Sequence, residues 1–152
     1  MVKATRMKLY FDACCLNRLT DDQRQERIRR EAEAVEKLMG FMADQRAVWV
    51  SSQVLIAEIA RNPNAERRED ALNLLSFAGE VIPTDADILQ RARALETLGF
   101  SGFDALHLAC AESAHVDVLL TTDDRLLRRA QRGVGAVAVR VCNPLSFLEE
   151  VL

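Results

Sequence analysis

The chain has 152 residues, the size of one globular domain, and is 49% hydrophobic and 28% charged, a balance typical of a folded protein with a core. Its net charge of −3 excludes binding of nucleic acid by overall charge alone. No apolar run reaches the roughly 18 residues that span a bilayer, and the start lacks an apolar signal segment, so we expect a cytoplasmic protein without membrane contact. Four cysteines occur without a CxxC pair, which argues against a zinc site.

Short apolar runs rich in β-branched residues alternate with helical segments along the chain. The first predicted strand covers 7–13. A helix is predicted over 24–45, preceded by Thr20 and Gln23 at capping-box spacing. The other predicted strands lie at 47–52, 80–84, 116–122 and 136–141. The other predicted helices lie at about 52–62, 65–78, 84–98, 101–115, 123–132 and 144–151.

This alternation predicts a parallel sheet joined by right-handed crossovers. The fold class is therefore α/β, with helices on both faces of a central sheet of four to five strands. Ligands of such sheets bind beyond the carboxyl ends of the strands, so we expect a functional site at that edge.

Four acidic residues follow or flank elements that converge on this edge. Asp12 and Asp123 end predicted strands. Glu58 lies among apolar residues of the helix after the second strand, and Asp104 lies in the first turn of a nearly apolar helix. Charged side chains in such apolar surroundings need a partner or a ligand.

Each acid also has a purely structural explanation. Asp12 and Asp123 could cap the helices that follow them, and Asp104 could form a capping box with Ser101. Glu58 could pair with a nearby arginine, for which the candidates are Arg61 and Arg67. Taken together these explanations fit less well, because no nearby run of cations neutralises all four acids.

Several carboxylates in a small space raise one another's pKa unless a cation holds them. Hard divalent cations such as Mg²⁺ and Mn²⁺ prefer oxygen ligands and retain waters. On a phosphodiester, such an ion activates a water and stabilises charge on the attacked phosphate.

Four segments of the chain resemble the PIN-domain family, of which VapC-type toxins of toxin–antitoxin pairs are members. In chain order they are YFDACCLNRL, VLIAEIAR, FDALHLACA and LLTTDDRLL. They span almost the whole chain, and the most specific part is FDALHLA followed about 15 residues later by a Thr-x-Asp at a strand end.

The resemblance implies a three-layer α/β/α sandwich in which 1–152 form a single nuclease domain. It implies a metal-dependent endoribonuclease that hydrolyses RNA, the toxin of a type II toxin–antitoxin pair. Mg²⁺ or Mn²⁺ would be held by four acids, which are Asp12, Glu58, Asp104 and Asp123. An antitoxin protein and a second copy of the chain in a homodimer are the implied partners.

The chain departs from many relatives beside the first acid, where they carry a serine or threonine. Here 13–15 read Ala-Cys-Cys, so Asn17 is the nearest polar candidate for a supporting role. Arg18 is the nearest cation, either for a phosphate contact or as a partner for an acid.

Near the fourth acid, two choices stay open at the level of sequence. Thr121 either hydrogen-bonds a ligand acid or simply ends a strand. Asp124 competes with Asp123 as the fourth ligand, and Asp123 is favoured as the acid of the Thr-x-Asp.

His107, three residues after Asp104, is interpreted as a partly buried helix histidine, with metal binding as the alternative.

Two arginine runs flank the expected site and suit either a solvated surface or contacts to backbone phosphates. They consist of Arg24, Arg27, Arg29 and Arg30, and of Arg125, Arg128, Arg129 and Arg132.

Two other functional classes compete with the metal-dependent nuclease. A non-catalytic PIN-fold module that binds RNA or a partner protein is the alternative to the nuclease. A phosphatase or receiver domain would use an acid pair and a downstream lysine, whereas Asp12 precedes Ala13 and no lysine follows Lys37.

Overall fold

A five-stranded sheet forms the centre of the computed structural model, which describes residues 6–133 and 136–152. Every neighbouring pair of strands is parallel. The strands are β1 (Met7–Phe11), β2 (Ala47–Ser52), β3 (Glu80–Ile82), β4 (Val118–Leu120) and β5 (Arg140–Cys142). Helices flank this sheet, so the predicted α/β class with a central parallel sheet is confirmed.

Helices occupy nearly all of the connections between strands. They are α1 (Ala13–Arg18), α2 (Glu26–Ala43), α3 (Gln53–Ala60), α4 (Ala65–Leu75), α5 (Ala86–Thr97), α6 (Gly102–Ser113), α7 (Asp124–Arg132) and α8 (Pro144–Val151). None of the helices in the described ranges combines the length and the apolar character that crossing a bilayer requires.

The segment after β1 differs from the sequence prediction. A short helix, α1, was not predicted, and α2 begins at Glu26 with Gln25 as an N-cap that makes no side-chain capping bond. The capping box of Thr20 and Gln23 is therefore wrong. The Thr20 hydroxyl instead accepts a hydrogen bond from Nε of Arg67 at 3.0 Å, a contact between distant segments that local spacing does not reveal.

Several strands are shorter than their apolar patterns predict. The strand predicted at 136–141 is shorter and shifted, because β5 covers only Arg140–Cys142, and the one predicted at 116–122 is reduced to β4. Helix capping explains the early end of β4, because the side chain of Asp123 accepts hydrogen bonds from the first amides of α7. Three residues, 121–123, therefore carry the chain from the end of β4 into α7.

The sheet order β3-β2-β1-β4-β5 places a change of direction between β1 and β4. From β1 the chain adds β2 and β3 on one side, and then crosses back to add β4 and β5 on the other. Right-handed crossovers then put α2 and the α5–α6 pair on opposite faces. The two central strands are joined beyond their ends by a bond from the Asp12 amide to the Leu120 carbonyl at 3.1 Å.

The core lies on both faces of the central strands. Leu9 and Phe11 of β1 and Leu119 of β4 are almost completely buried, and each such side chain contributes about 1.5–3 kcal/mol by leaving water. Because this core fixes β1 and β4, the residues at their carboxyl ends are held in place. The strand-order reversal at this edge is where ligands of open α/β sheets bind.

Candidate active site

A cleft of about 390 Å³ opens at the carboxyl edge of the sheet. Its walls come from α1, α3 and α6 and the residues that flank them. They carry three of the four predicted acids, Asp12, Glu58 and Asp104. The other lining residues are Ala13, Cys14, Asn17, Ile59, Arg61, Asn62, Phe103 and His107.

The fourth predicted acid lines a second cavity beside the first. This cavity, of about 230 Å³, contains Asp123 together with Asp104, Arg125 and Arg129. Asp104 borders both cavities, so the four acids lie along one continuous stretch of surface at the sheet edge.

Asp12 is buried at the bottom of the first cleft, 3% exposed. Its Oδ1 accepts a hydrogen bond from the Cys15 amide at 3.1 Å, which makes it the N-cap of α1. Burial raises its pKa to about 6, although a hydrogen bond from the Thr121 hydroxyl opposes the shift. The capping explanation and the cleft position thus both hold for this residue.

Asp104 and Asp123 also make local hydrogen bonds. The Ser101 hydroxyl donates to Oδ2 of Asp104 at 2.9 Å, and Asp123 accepts from the amides of Arg125 and Leu126 as the N-cap of α7. Burial raises the pKa of Asp104, and the charges of Asp123 and Glu58 add to that rise. The carboxylates of Asp123 and Glu58 therefore lie close enough to Asp104 to disfavour its charged form.

Glu58 is held by a buried chain of hydrogen bonds. Its Oε1 lies 3.1 Å from Nε2 of His107, and Nδ1 of His107 lies 2.7 Å from the Tyr10 hydroxyl. The Tyr10 hydroxyl in turn lies 2.6 Å from the Ser52 hydroxyl, which accepts from the Leu55 amide. Because a carboxylate only accepts, Nε2–H donates to Glu58.

The arginines proposed as partners of Glu58 have other contacts. Arg67 donates to Asp21, Thr20 and the Asn17 carbonyl. The guanidinium of Arg61 lies over the Phe103 ring, 5.6 Å from its centroid. Glu58 therefore depends on His107, whose two ring nitrogens are both engaged, and His107 is more deeply buried than expected, at 1% exposed.

Of the three residues proposed to support the site, two lie at it and one lies outside the cleft. Asn17 lines the first cleft. Thr121 connects two of the acids, because its hydroxyl accepts from the Asp123 amide at 3.0 Å and hydrogen-bonds Asp12. Arg18 pairs instead with two acids outside the cleft, Asp21 and Glu31.

Asp124 is engaged away from the cavity. Two nitrogens of Arg27 donate to its carboxylate at 2.9 and 2.8 Å, and the hydrogen bonds lower its pKa. This arrangement favours Asp123, which lines the cavity, over Asp124 as the fourth acid.

The two adjacent cysteines do not form a reactive pair. Cys15 is buried and its thiol donates to the Leu120 carbonyl at 3.3 Å. Cys14 lines the cleft, where burial and the nearby acids raise its thiol pKa. A thiol with a raised pKa stays protonated and is a poor nucleophile.

The donor set fits a hard divalent cation by its chemistry. All four side chains are carboxylates, and in the described ranges none of them forms an ion pair with lysine or arginine. The arrangement is not preformed, however. Within residues 6–133 and 136–152, no three His, Cys, Asp or Glu side chains stand close enough to share an ion.

Sequence reasoning did not identify Tyr10 and Ser52 as part of the site. One signal was available, because Tyr10 is the only tyrosine in the chain and lies in an apolar strand, where a buried phenol needs a hydrogen-bond partner. That partner is His107, 97 residues away, and the spacing of residues around Tyr10 does not indicate it.

Comparison with known proteins gives a family model described as PIN domain, which matches residues 9–132. No curated protein sequence matches the chain significantly. Among solved structures, VapBC2 from Rickettsia felis, bound to a DNA fragment from its promoter, aligns with a TM-score of 0.62 and 13% identity, over 89% of this chain and 98% of the other.

Two further structures show the same fold. VapC20 of Mycobacterium tuberculosis, a toxin that cleaves the sarcin–ricin loop, aligns with a TM-score of 0.59 and 17% identity, over 87% and 98% of the two chains. PAE2754 from Pyrobaculum aerophilum aligns with a TM-score of 0.54 and 15% identity, over 97% and 98%.

Proposed function

Because this chain belongs to the PIN domain family, we propose that it is an endoribonuclease that uses Mg²⁺ or Mn²⁺ to hydrolyse RNA phosphodiester bonds. The observation that carries the proposal is the stretch of four carboxylates along the carboxyl edge of the sheet, without lysine or arginine partners in the described ranges. We further propose that residues 1–152 act as one nuclease domain.

Each acid has a defined role in this proposal. Asp12, Glu58, Asp104 and Asp123 would hold the cation. When bound, the cation supplies positive charge for the reacting phosphate and makes a water easier to deprotonate. Thr121 orients Asp12, His107 orients Glu58, and Ser101 orients Asp104 through the hydrogen bonds described above. Asn17 is proposed as a supporting contact to substrate at the cleft wall.

The adjacent acids Asp123 and Asp124 provide a matched experiment. Labelled RNA is incubated with Mn²⁺ and the wild type, Asp123→Asn or Asp124→Asn. We expect Asp123→Asn to abolish cleavage and Asp124→Asn to retain it, because only Asp123 lines the acidic cavity. Asparagine caps a helix as well as aspartate does, so α7 is preserved in the first variant.

A thermal-shift assay detects binding of the cation without relying on cleavage. Mn²⁺ at about 100 times its dissociation constant stabilises a protein by about 2.7 kcal/mol, and we expect this shift to be lost in Asp123→Asn. Cleavage that survives EDTA contradicts the proposal. RNA binding without cleavage in the wild type supports the alternative, a non-catalytic module of the same fold.

An antitoxin partner is proposed on the likeness to VapBC2, a toxin–antitoxin complex, and the chain would then be the toxin of a type II pair. Co-expression with the protein encoded by the neighbouring gene tests this, since a cognate antitoxin suppresses the cleavage. A homodimer is also proposed, and light scattering on the purified chain measures it.

A further inference from the structure

We propose that the exposed side of α7, formed by Arg125, Arg128, Arg129 and Arg132, binds the phosphate backbone of RNA and guides it into the acidic cavity. This surface is called the α7 arginine face. The inference rests on the proposed ribonuclease function and adds to it the surface that would hold the substrate.

The spacing of the four arginines places them together on the helix. They stand at positions i, i+3, i+4 and i+7, which share one side of an α-helix. All four are exposed, whereas Leu126 on the same helix is buried and anchors it to the core. A depression of about 190 Å³ is lined by these four arginines alone.

The α7 arginine face is continuous with the proposed catalytic acids. Arg125 and Arg129 line this depression and also line the cavity that contains Asp104 and Asp123. An RNA backbone bound along these arginines would therefore lead directly to Asp104 and Asp123. Such cationic guidance is needed, because the protein carries a net charge of −3 and the four carboxylates along the sheet edge repel an anionic backbone.

The four guanidinium groups have hydrogen-bond donors available for a ligand. Within the parts of the chain that the structure describes, none of them has a carboxylate within 4.0 Å, whereas arginines in other elements form ion pairs. Asp124, one turn before Arg128, is held by Arg27 of α2. Unpaired guanidinium forks match the geometry of phosphate oxygens.

Gly99 allows Arg129 to lie where it borders the acidic cavity. The guanidinium of Arg129 rests against the Gly99 backbone, and a Cβ at that position would overlap it. Gly99 also has a φ of +98°, which glycine adopts without strain. The loop before α6 and the α7 arginine face are therefore fitted to each other.

RNA binding in the absence of divalent cations tests the proposal. The probe is a short fluorescein-labelled single-stranded RNA of mixed sequence, measured by anisotropy in EDTA from about 50 to about 200 mM KCl. The variant is Arg125→Gln/Arg129→Gln. Its control is Arg6→Gln/Arg46→Gln, which removes the same charge beside the amino ends of β1 and β2, at the opposite edge of the sheet.

We expect the α7 variant to bind about tenfold more weakly at the lowest salt and the control to bind as the wild type does. Each lost phosphate contact reduces the slope of log K against log salt by about 0.7, so the variant's slope should fall by about 1.4. A second variant, Arg128→Gln/Arg132→Gln, should show the same trend. Exposed substitutions of this kind have little effect on stability, so all variants should remain folded.

Unchanged affinity and slope in both α7 variants overturn the proposal, and would direct attention to an acidic protein segment as the ligand. The outcome is separable from that of the cleavage assay. A wild type that binds RNA through this face and cuts nothing refutes the ribonuclease and keeps the surface. A wild type that cuts RNA while the α7 variants bind normally refutes the surface alone.

Discussion

His107 and Tyr10 are joined inside the protein by a hydrogen bond of 2.7 Å between Nδ1 and the phenol oxygen. Through the other ring nitrogen, this pair reaches the Glu58 carboxylate, which lines the cleft. A side chain at the surface of the cleft is therefore positioned by two residues that are themselves almost completely buried.

Tyr10→Phe removes the phenol and keeps the ring. Because His107 and Ser52 each lose a buried partner, we expect the free energy of unfolding to fall by about 1–2 kcal/mol. We also expect kcat for RNA cleavage to fall about tenfold, an effect of about 1.4 kcal/mol on the barrier, with KM unchanged because Tyr10 lies behind the cleft wall. Steady-state kinetics at a temperature where the variant is fully folded measure both constants, and a normal kcat there contradicts the positioning role.

The neighbours Ser51 and Ser52 form a matched pair for stability. Both are fully buried, but only Ser52 bonds Tyr10 and caps α3, and the Ser51 hydroxyl has no partner among the described residues. We expect Ser52→Ala to lower the free energy of unfolding by about 1–2 kcal/mol. Ser51→Ala should be neutral or stabilising, since an unpaired buried hydroxyl is unfavourable. Urea denaturation of both variants tests the contrast, and equal losses would count against the buried chain.

Asp12 should make stability depend on pH in metal-free buffer. Burial raises its pKa from 3.8 to about 6. Between these values the folded state holds a proton that the unfolded state has released, so stability falls as pH rises through this window and levels off above about 6. The penalty at pH 8 is about 3 kcal/mol.

Asp12→Asn removes this penalty while its side chain can still cap α1. We expect the variant to be more stable than the wild type at about pH 8 and similar to it at about pH 4, in urea melts with EDTA. Asp124→Asn is the control, because Arg27 lowers the pKa of Asp124. Relative to the wild type, this variant should become less stable as pH rises, the opposite of Asp12→Asn. A pH-independent difference for Asp12→Asn would show that its carboxyl group titrates normally.

Glu31 of α2 joins this helix to α1 and to the N-terminus of α8 at a buried point. It is 1% exposed and accepts from Arg18 at 3.0 Å, Arg27 at 3.4 Å and Asn143 at 2.7 Å. We expect Glu31→Ala to lower the free energy of unfolding by about 2–4 kcal/mol, because its partners lose a buried carboxylate. Glu33→Ala, an exposed change on the same helix, should stay within about 0.5 kcal/mol. Similar losses in the two variants, compared by denaturant melts, would argue against the buried contact point.

The order of the elements and the edge that carries the acids could be predicted from the chain alone. Apolar runs such as the one that ends before Asp12, and helical spacing after it, report which residues a strand or helix buries. This signal is local, because a side chain's direction depends on the period of its own element. The carboxyl edge of a parallel sheet then follows from topology, which is why both Asp12 and Asp123 were expected at that edge. Asp12 directly follows β1, whereas β4 ends at Leu120 and Asp123 caps α7.

What each polar side chain bonds was decided only by the tertiary structure. Thr20 was expected to cap α2, but its hydroxyl accepts a hydrogen bond from Arg67. Arg18 pairs with Glu31 rather than with a residue of the cleft. The same holds for His107 and Tyr10, which are 97 residues apart. Packing brings such groups together, and a buried polar group takes whichever partner packing provides, so these pairings leave no periodic trace in the sequence.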